Sequence, residues 1–225
     1  MEKKKHQKIL NKQYRLFLDE GIINTLSEQD IAKALEGVKG LRGKHKDECR
    51  SLIILLYYTG CRPKEALQVH SRDIKRDKRH LTVKLVGSKG GRPRTIYLPL
   101  GTNKKPRALV RELMNYAMSC YPDMLIFYHF IGHYLRRVKT KKGPVITRVD
   151  TTDKLRYHFK NWFKDVVEGS ISPYFLRHNR FSKLAQKGVT LEQLRLIKGS
   201  KSFDSIMEYL HMSKSEAEKI SRKID

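Results

Sequence analysis

Apolar residues recur at helical spacing over most of the chain, and at strand spacing in only one stretch. LSEQDIAKALEGV (26–38) predicts a helix that Ser27 can cap, with Asp30 three positions on in its first turn. CRSLIILLYY (49–58) predicts a more apolar helix closed by Gly60, and Pro63 suits the first turn of the next, PKEALQV. LTVKLVG and RTIYLPL then read as short β-rich runs around SKGGRP, a hairpin or the edge of a small sheet. Helical periodicity returns in PRALVRELMNYAM and LIFYHFIGHYLRRV, and KTKKGPVITRVDTT reads as a basic loop. DKLRYHFKNWFKDV, PYFLRHNRFSKLAQKG and TLEQLRLIKG are further predicted helices, the last two ending at Gly188 and Gly199. FDSIMEYLHM and SEAEKISRKID finish the chain. The pattern predicts one mainly α domain carrying a small antiparallel β-sheet, an α+β class. A basic lead-in (1–25) precedes it, and a short helical tail (212–225) with Met212 and Ile220 as apolar anchors follows.

Charge narrows the partners. With 48 Lys and Arg against 23 Asp and Glu, the 225 residues carry a formal net charge of +25. A chain this basic repels itself unless a polyanion is nearby, and nucleic acid fits better than an anionic membrane because no helix shows a basic amphipathic face. KGGRPR and KTKKGPVITR are basic loops that could track phosphates. No apolar run spans a bilayer, and the N-terminus lacks an apolar signal core, so the expectation is a cytoplasmic protein that meets the nucleoid when bound to DNA. Cys49, Cys61 and Cys120 form no CxxC pair and no zinc-type cluster, which predicts reduced thiols.

Four residues stand out by order and spacing. Arg62 lies in YYTGCRPKEALQV, Lys89 in GSKGGRPR, Arg177 in SPYFLRHNRF, and Tyr209 follows Arg177 by 32 positions (177 to 209). A phosphodiester under attack needs its non-bridging oxygens neutralised, and the planar, always charged guanidinium does this well. Tyrosine can be a nucleophile that stores the bond energy in a covalent ester. Lysine on a turn can protonate a departing oxygen. Taken singly, each is a common residue type with a surface or core alternative. Jointly they suit chemistry on a DNA phosphate.

The motifs resemble those of the tyrosine recombinase family, which includes phage integrases and Xer-type resolvases. TGCRPKEALQV is similar to the family's first box, with Arg62 as first arginine and Glu65 as its supporting carboxylate. YFLRHNRFSKLAQKG resembles the second box through Leu176, Arg177, His178 and Gly188, and IKGSKSFDSIMEYLH resembles the third through Gly199 and Tyr209. The resemblance covers residues 26–211 and implies the tyrosine recombinase catalytic-domain fold. It further implies metal- and ATP-independent site-specific recombination of double-stranded DNA, with no cofactor and a homotetramer on DNA. Tyr209 would form a 3′-phosphotyrosyl link and Lys89 would protonate the 5′-hydroxyl.

Two positions depart from the family pattern. Tyr174 stands where histidine is usual, and Ser200 stands where histidine or tryptophan is usual. A phenol, with an ordinary pKa near 10, is a poor base at neutral pH, so the nucleophile's proton must go elsewhere. Tyr174, His178, Ser200 and Lys201 are candidate supporting donors. A YxxR second box is similar to that of integrases carried by archaeal plasmids and viruses. The family also places a separate helical domain before the catalytic one, whereas about 25 residues precede it here. The rival readings are a type IB topoisomerase, which shares the site chemistry, and a degenerate protein that only binds DNA.

Overall fold

The computed structural model describes residues 26–38, 43–88, 91–101, 107–131, 135–140, 143–148, 151–166, 172–207 and Tyr209. The lead-in, Lys89 and the tail anchors Met212 and Ile220 lie outside the described residues. Helix α1 (Glu28–Glu36) starts at a reciprocal cap in which Ser27 Oγ accepts from Asp30 N and Asp30 Oδ2 accepts from Ser27 N. Helix α2 (Gly43–Thr59) is the axis of the domain: Leu52, Ile53, Ile54, Leu55 and Leu56 are all fully buried. The second half of this helix is buried on every side and has to be wrapped, and each such leucine or isoleucine contributes about 1.5–3 kcal/mol of burial. α3 (Pro63–Ala66) is a single turn, shorter than the predicted PKEALQV helix.

The strand-period stretch forms a three-stranded antiparallel sheet, β1 (Ile74–Arg76), β2 (His80–Leu85) and β3 (Arg94–Pro99), in that spatial order. The register pairs Leu81 with Leu98 and Val83 with Ile96, all buried, and leaves exposed Tyr97 opposite Thr82 on the other face. Helix α4 (Ala108–Met118) turns Val110, Leu113, Met114 and Ala117 inward. The bidentate pair of Arg50 with Glu112 ties it to α2, with Arg50 Nη2 2.9 Å from Glu112 Oε2.

Here one expectation is corrected. LIFYHFIGHYLRRV does not continue as a helix: α5 (Tyr128–Ile131) is one turn, and β4 (Leu135–Thr140) pairs with β5 (Gly143–Arg148) as an antiparallel hairpin. The predicted basic loop is therefore largely strand. Helices α6 (Thr151–Trp162), α7 (Pro173–Gln186), α8 (Leu191–Lys198) and α9 (Asp204–Met207) complete the order. α7 packs on α2, and α8 packs on α7, α9 and β3. A main core surrounds α2, and a smaller one gathers Phe181, Leu194, Ile206 and Tyr209. All three cysteines are free thiols. Among the described residues no helix is long and apolar enough to cross a membrane.

Candidate active site

The site begins where α2 ends. Gly60 adopts φ 61°, a left-handed conformation that glycine accepts without strain. A Cβ there would also meet Arg180 Cγ at 3.0 Å and Phe181 Cε2 at 3.1 Å. The Gly60 carbonyl accepts a hydrogen bond from Arg177 Nη1 at 2.6 Å, and the Lys198 carbonyl accepts one from Arg177 Nη2 at 3.2 Å. Arg177 is thus held from two sides, over the Phe181 ring at 5.1 Å.

Arg62 caps α3, and Glu65 holds it twice: its backbone N–H donates to Glu65 Oε2 at 2.9 Å and its Nη1 to Oε1 at 3.0 Å. Glu65 is completely buried, which alone would favour the neutral acid. The hydrogen bond and charge of Arg94, with Nη2 donating to Oε2 at 2.8 Å, outweigh that and hold the carboxyl at about 2. Burial, and after it the charge of Arg62, pushes the Arg177 guanidinium down to about 10. Even so lowered, Arg177 remains a cation at neutral pH. Two mutually repelling cations, one of them buried, make a site that an anion relieves.

Tyr209 sits beside this pair in the smaller core, only 4% exposed. Its ring lies 5.4 Å from that of His178 and 5.6 Å from that of Phe181, and Lys198 Nζ stands 4.6 Å from its centroid. The negative charge of a 209 phenolate would in turn favour the Arg177 cation. Tyr174, half-buried in the first turn of α7, shares a helix face with Arg177 and His178 at i+3 and i+4. The Ser200 hydroxyl donates to the Ser202 carbonyl at 3.0 Å and bonds the Ser205 hydroxyl at 2.8 Å. Lys201 is exposed.

The flanks of the Lys89 position are tied to the same place. Ser88 Oγ donates to Glu65 Oε1 at 3.3 Å, and its carbonyl accepts from Arg62 Nη1 at 3.4 Å. A Cβ on Gly91 would come within 2.9 Å of Arg62 Nη1, and Arg92 N donates to the Gly199 carbonyl at 3.2 Å.

Two further residues belong here that sequence reasoning missed, Arg94 and Lys198. Arg94 passes under Gly199, where a Cβ would lie 2.9 Å from its Nη1. It also borders a cavity of about 300 Å³ shared with Arg92, Arg195 and Ser200. The one signal for Lys198 was its place four residues after Leu194 on an inward face. Arg94 positions Arg62 through Glu65. Arg94→Met is expected to weaken the site's hold on a phosphate group about tenfold, the worth of one good hydrogen bond, by letting Arg62 drift. Acid unfolding checks the linkage. A carboxyl depressed from 4.5 to about 2 lends stability that is complete above about pH 4.5 and fades as pH falls toward 2. Without Arg94 that contribution should be missing already at neutral pH, leaving a less stable protein that loses less further stability between about pH 4.5 and 2, followed by circular dichroism.

The phage integrase family matches residues 24–216. The tyrosine recombinase XerA of Pyrococcus furiosus is 27% identical over 189 residues, covering 84% of this chain and 57% of that protein. XerC of Pediococcus pentosaceus is 26% identical over 203 residues, 87% of this chain and 60% of that protein. The chain therefore spans rather more than half the length of these relatives. Among solved structures, the XerH site-specific recombinase bound to difH substrate superposes with a TM-score of 0.58 at 22% identity, over 88% of this chain and 53% of that one. The FLP recombinase–Holliday junction complex superposes at 0.51 and 15% identity, over 85% and 48%. These likenesses show a common fold, and the chain belongs to the phage integrase family.

Proposed function

We propose that residues 26–211 are the catalytic domain of a site-specific DNA recombinase that cuts and rejoins strands through a 3′-phosphotyrosyl intermediate. The observation that carries the reading is the meeting of two cationic guanidinium groups, Arg62 and Arg177, beside the buried phenol of Tyr209. A scissile phosphate bound by both arginines has its negative charge compensated as the pentavalent transition state forms. The Tyr209 oxygen gives its proton to water and bonds to phosphorus, and the bond from phosphorus to the 5′ oxygen breaks. Lys89 supplies the proton that the 5′ oxygen needs to leave as a hydroxyl. Attack by a 5′-hydroxyl of a partner strand reverses these steps, so the ester's energy is kept and no ATP is consumed.

Tyr174, His178 and Lys201 serve as supporting donors, and Ser200 joins them when its hydroxyl turns from the Ser202 carbonyl to the phosphate. Lys198, with its cation over the Tyr209 ring, favours the phenolate as the proton departs. Exchange between two duplexes calls for four such domains on DNA. The relatives are named recombinases, and a transposon integrase complexed with circular intermediate DNA shares the fold with a TM-score of 0.54.

A suicide duplex nicked beside the cleavage site tests the assignment. The protein should form a DNA adduct that survives denaturant. Relaxation of any supercoiled plasmid regardless of sequence would instead assign a topoisomerase, and binding with no adduct would leave a DNA-binding protein. Tyr174→Phe should slow adduct formation about tenfold with little change in affinity, the loss of one hydrogen bond, and Tyr174→His should be tolerated. An unchanged rate in the phenylalanine variant removes Tyr174 from the site.

A further inference from the structure

At the opposite end of α2 a second cluster of chemically active side chains has no part in the phosphate site. His45 and Glu48 lie three residues apart on one face of the helix, and His129 reaches them from α5. The ligand atoms of these three residues all lie within 4.8 Å of one another. The Glu48 carboxylate is completely buried, which sets it apart from the exposed acidic groups common on protein surfaces. Its Oε1 accepts from the His129 backbone N–H at 2.8 Å, and its Oε2 is in close contact with His129 Nδ1. His45 Nδ1 points at the same Oε2 from 3.6 Å, is buried, and has no hydrogen-bond partner. The other nitrogen of that ring faces Cys49 Sγ at 4.0 Å, so Nδ1 is the atom presented to the carboxylate.

The three ligand atoms converge closely enough for one ion, which would replace the hydrogen bond that His129 Nδ1 and Glu48 Oε2 now share. Bonds of about 2.05 Å set neighbouring ligand atoms about 3.3 Å apart, close to the separation of His45 Nδ1 and Glu48 Oε2. Two imidazoles and one carboxylate are borderline ligands that suit zinc, and too few oxygens for calcium or magnesium. The side chains of His45 and His129 are 35% and 45% exposed, which leaves the ion a way in and room for a water as fourth ligand. A +25 chain repels a free dication at long range, so coordinate bonds rather than the protein's field have to hold it.

We propose that His45, Glu48 and His129 bind one zinc ion that staples the start of α2 to α5. Fifteen residues, about 22 Å of helix, separate His45 from Gly60, so the ion is structural and takes no part in cleavage.

The test uses the full chain, stripped with a chelator and titrated with Zn2+ by calorimetry, with metal content measured after dialysis. One zinc per chain is expected. At a hundredfold excess over Kd, Tm should rise by about 5–10 °C. Co2+ in its place should show the visible band of tetrahedral cobalt. His129→Ala should weaken binding about a hundredfold and remove the rise. If that variant does not fold, His45→Gln serves as the second, because its side chain is half-exposed and glutamine suits a helix. Failure of the unmodified chain to bind zinc, or binding unchanged in a folded variant, overturns the proposal and leaves Glu48 and His129 a hydrogen-bonded pin.

Discussion

Replacing Tyr209 with phenylalanine is expected to abolish the covalent DNA adduct while leaving DNA binding intact. The loss should be at least about 10⁴-fold in cleavage rate, the scale on which enzymes respond to deletion of a covalent nucleophile. The fold should survive, because the phenylalanine ring keeps its place between His178 and Phe181 and under Lys198. Affinity should survive as well, since only one hydroxyl is lost while the chain's many cations supply most of the attraction to DNA. A denaturing gel with the nicked duplex reads the first quantity, and a mobility shift reads the second. Equal adduct from both proteins would move the nucleophile to another residue and sink the assignment.

Arg177→Lys is the next most damaging change, although it keeps the charge. Arg177 commits Nη1 to the Gly60 carbonyl and Nη2 to the Lys198 carbonyl, which fixes the plane of the whole fork. Lysine has one nitrogen on a flexible stem and cannot hold both carbonyls while presenting a donor to phosphate. Cleavage should fall about 10²–10³-fold, the cost of losing one preorganised donor to a developing oxyanion. Affinity should change less than tenfold, because the many other cations of the chain supply most of the attraction to DNA. A lysine variant of normal rate would show that charge alone suffices at this position. Parallel losses of rate and affinity would show that Arg177 anchors the duplex instead.

The contrast between Arg177 and Arg94 explains how far the sequence can be read. Arg177 lies in a motif whose spacing to Tyr209 is local enough to recognise along the chain. Arg94 reads as one cation among many in KGGRPRT, and only the folding that sets the start of β3 beside α3 makes it a buried partner of Glu65. Lys198 is similar: helical period places it inward, but nothing local says that the ring above it is Tyr209. The same limit accounts for β4 and β5. Leu135–Thr140 follows an apolar run that a helix or a strand can equally accept, and its pairing with Gly143–Arg148 decides the outcome. The helices around α2 were legible because their caps and periods are written in adjacent residues.

The bond between Arg177 and the Gly60 carbonyl joins positions 117 residues apart. Contacts of such range form late, since a long loop must close before they repay its entropy. A chain emerging from the ribosome exposes its lysines and arginines, and so its attraction for DNA, well before this contact can exist. The nucleophile comes later still. On the proposed reading, a half-made copy would carry much of the positive charge but neither the assembled pair of arginines nor the tyrosine, so synthesis order would keep binding ahead of cutting.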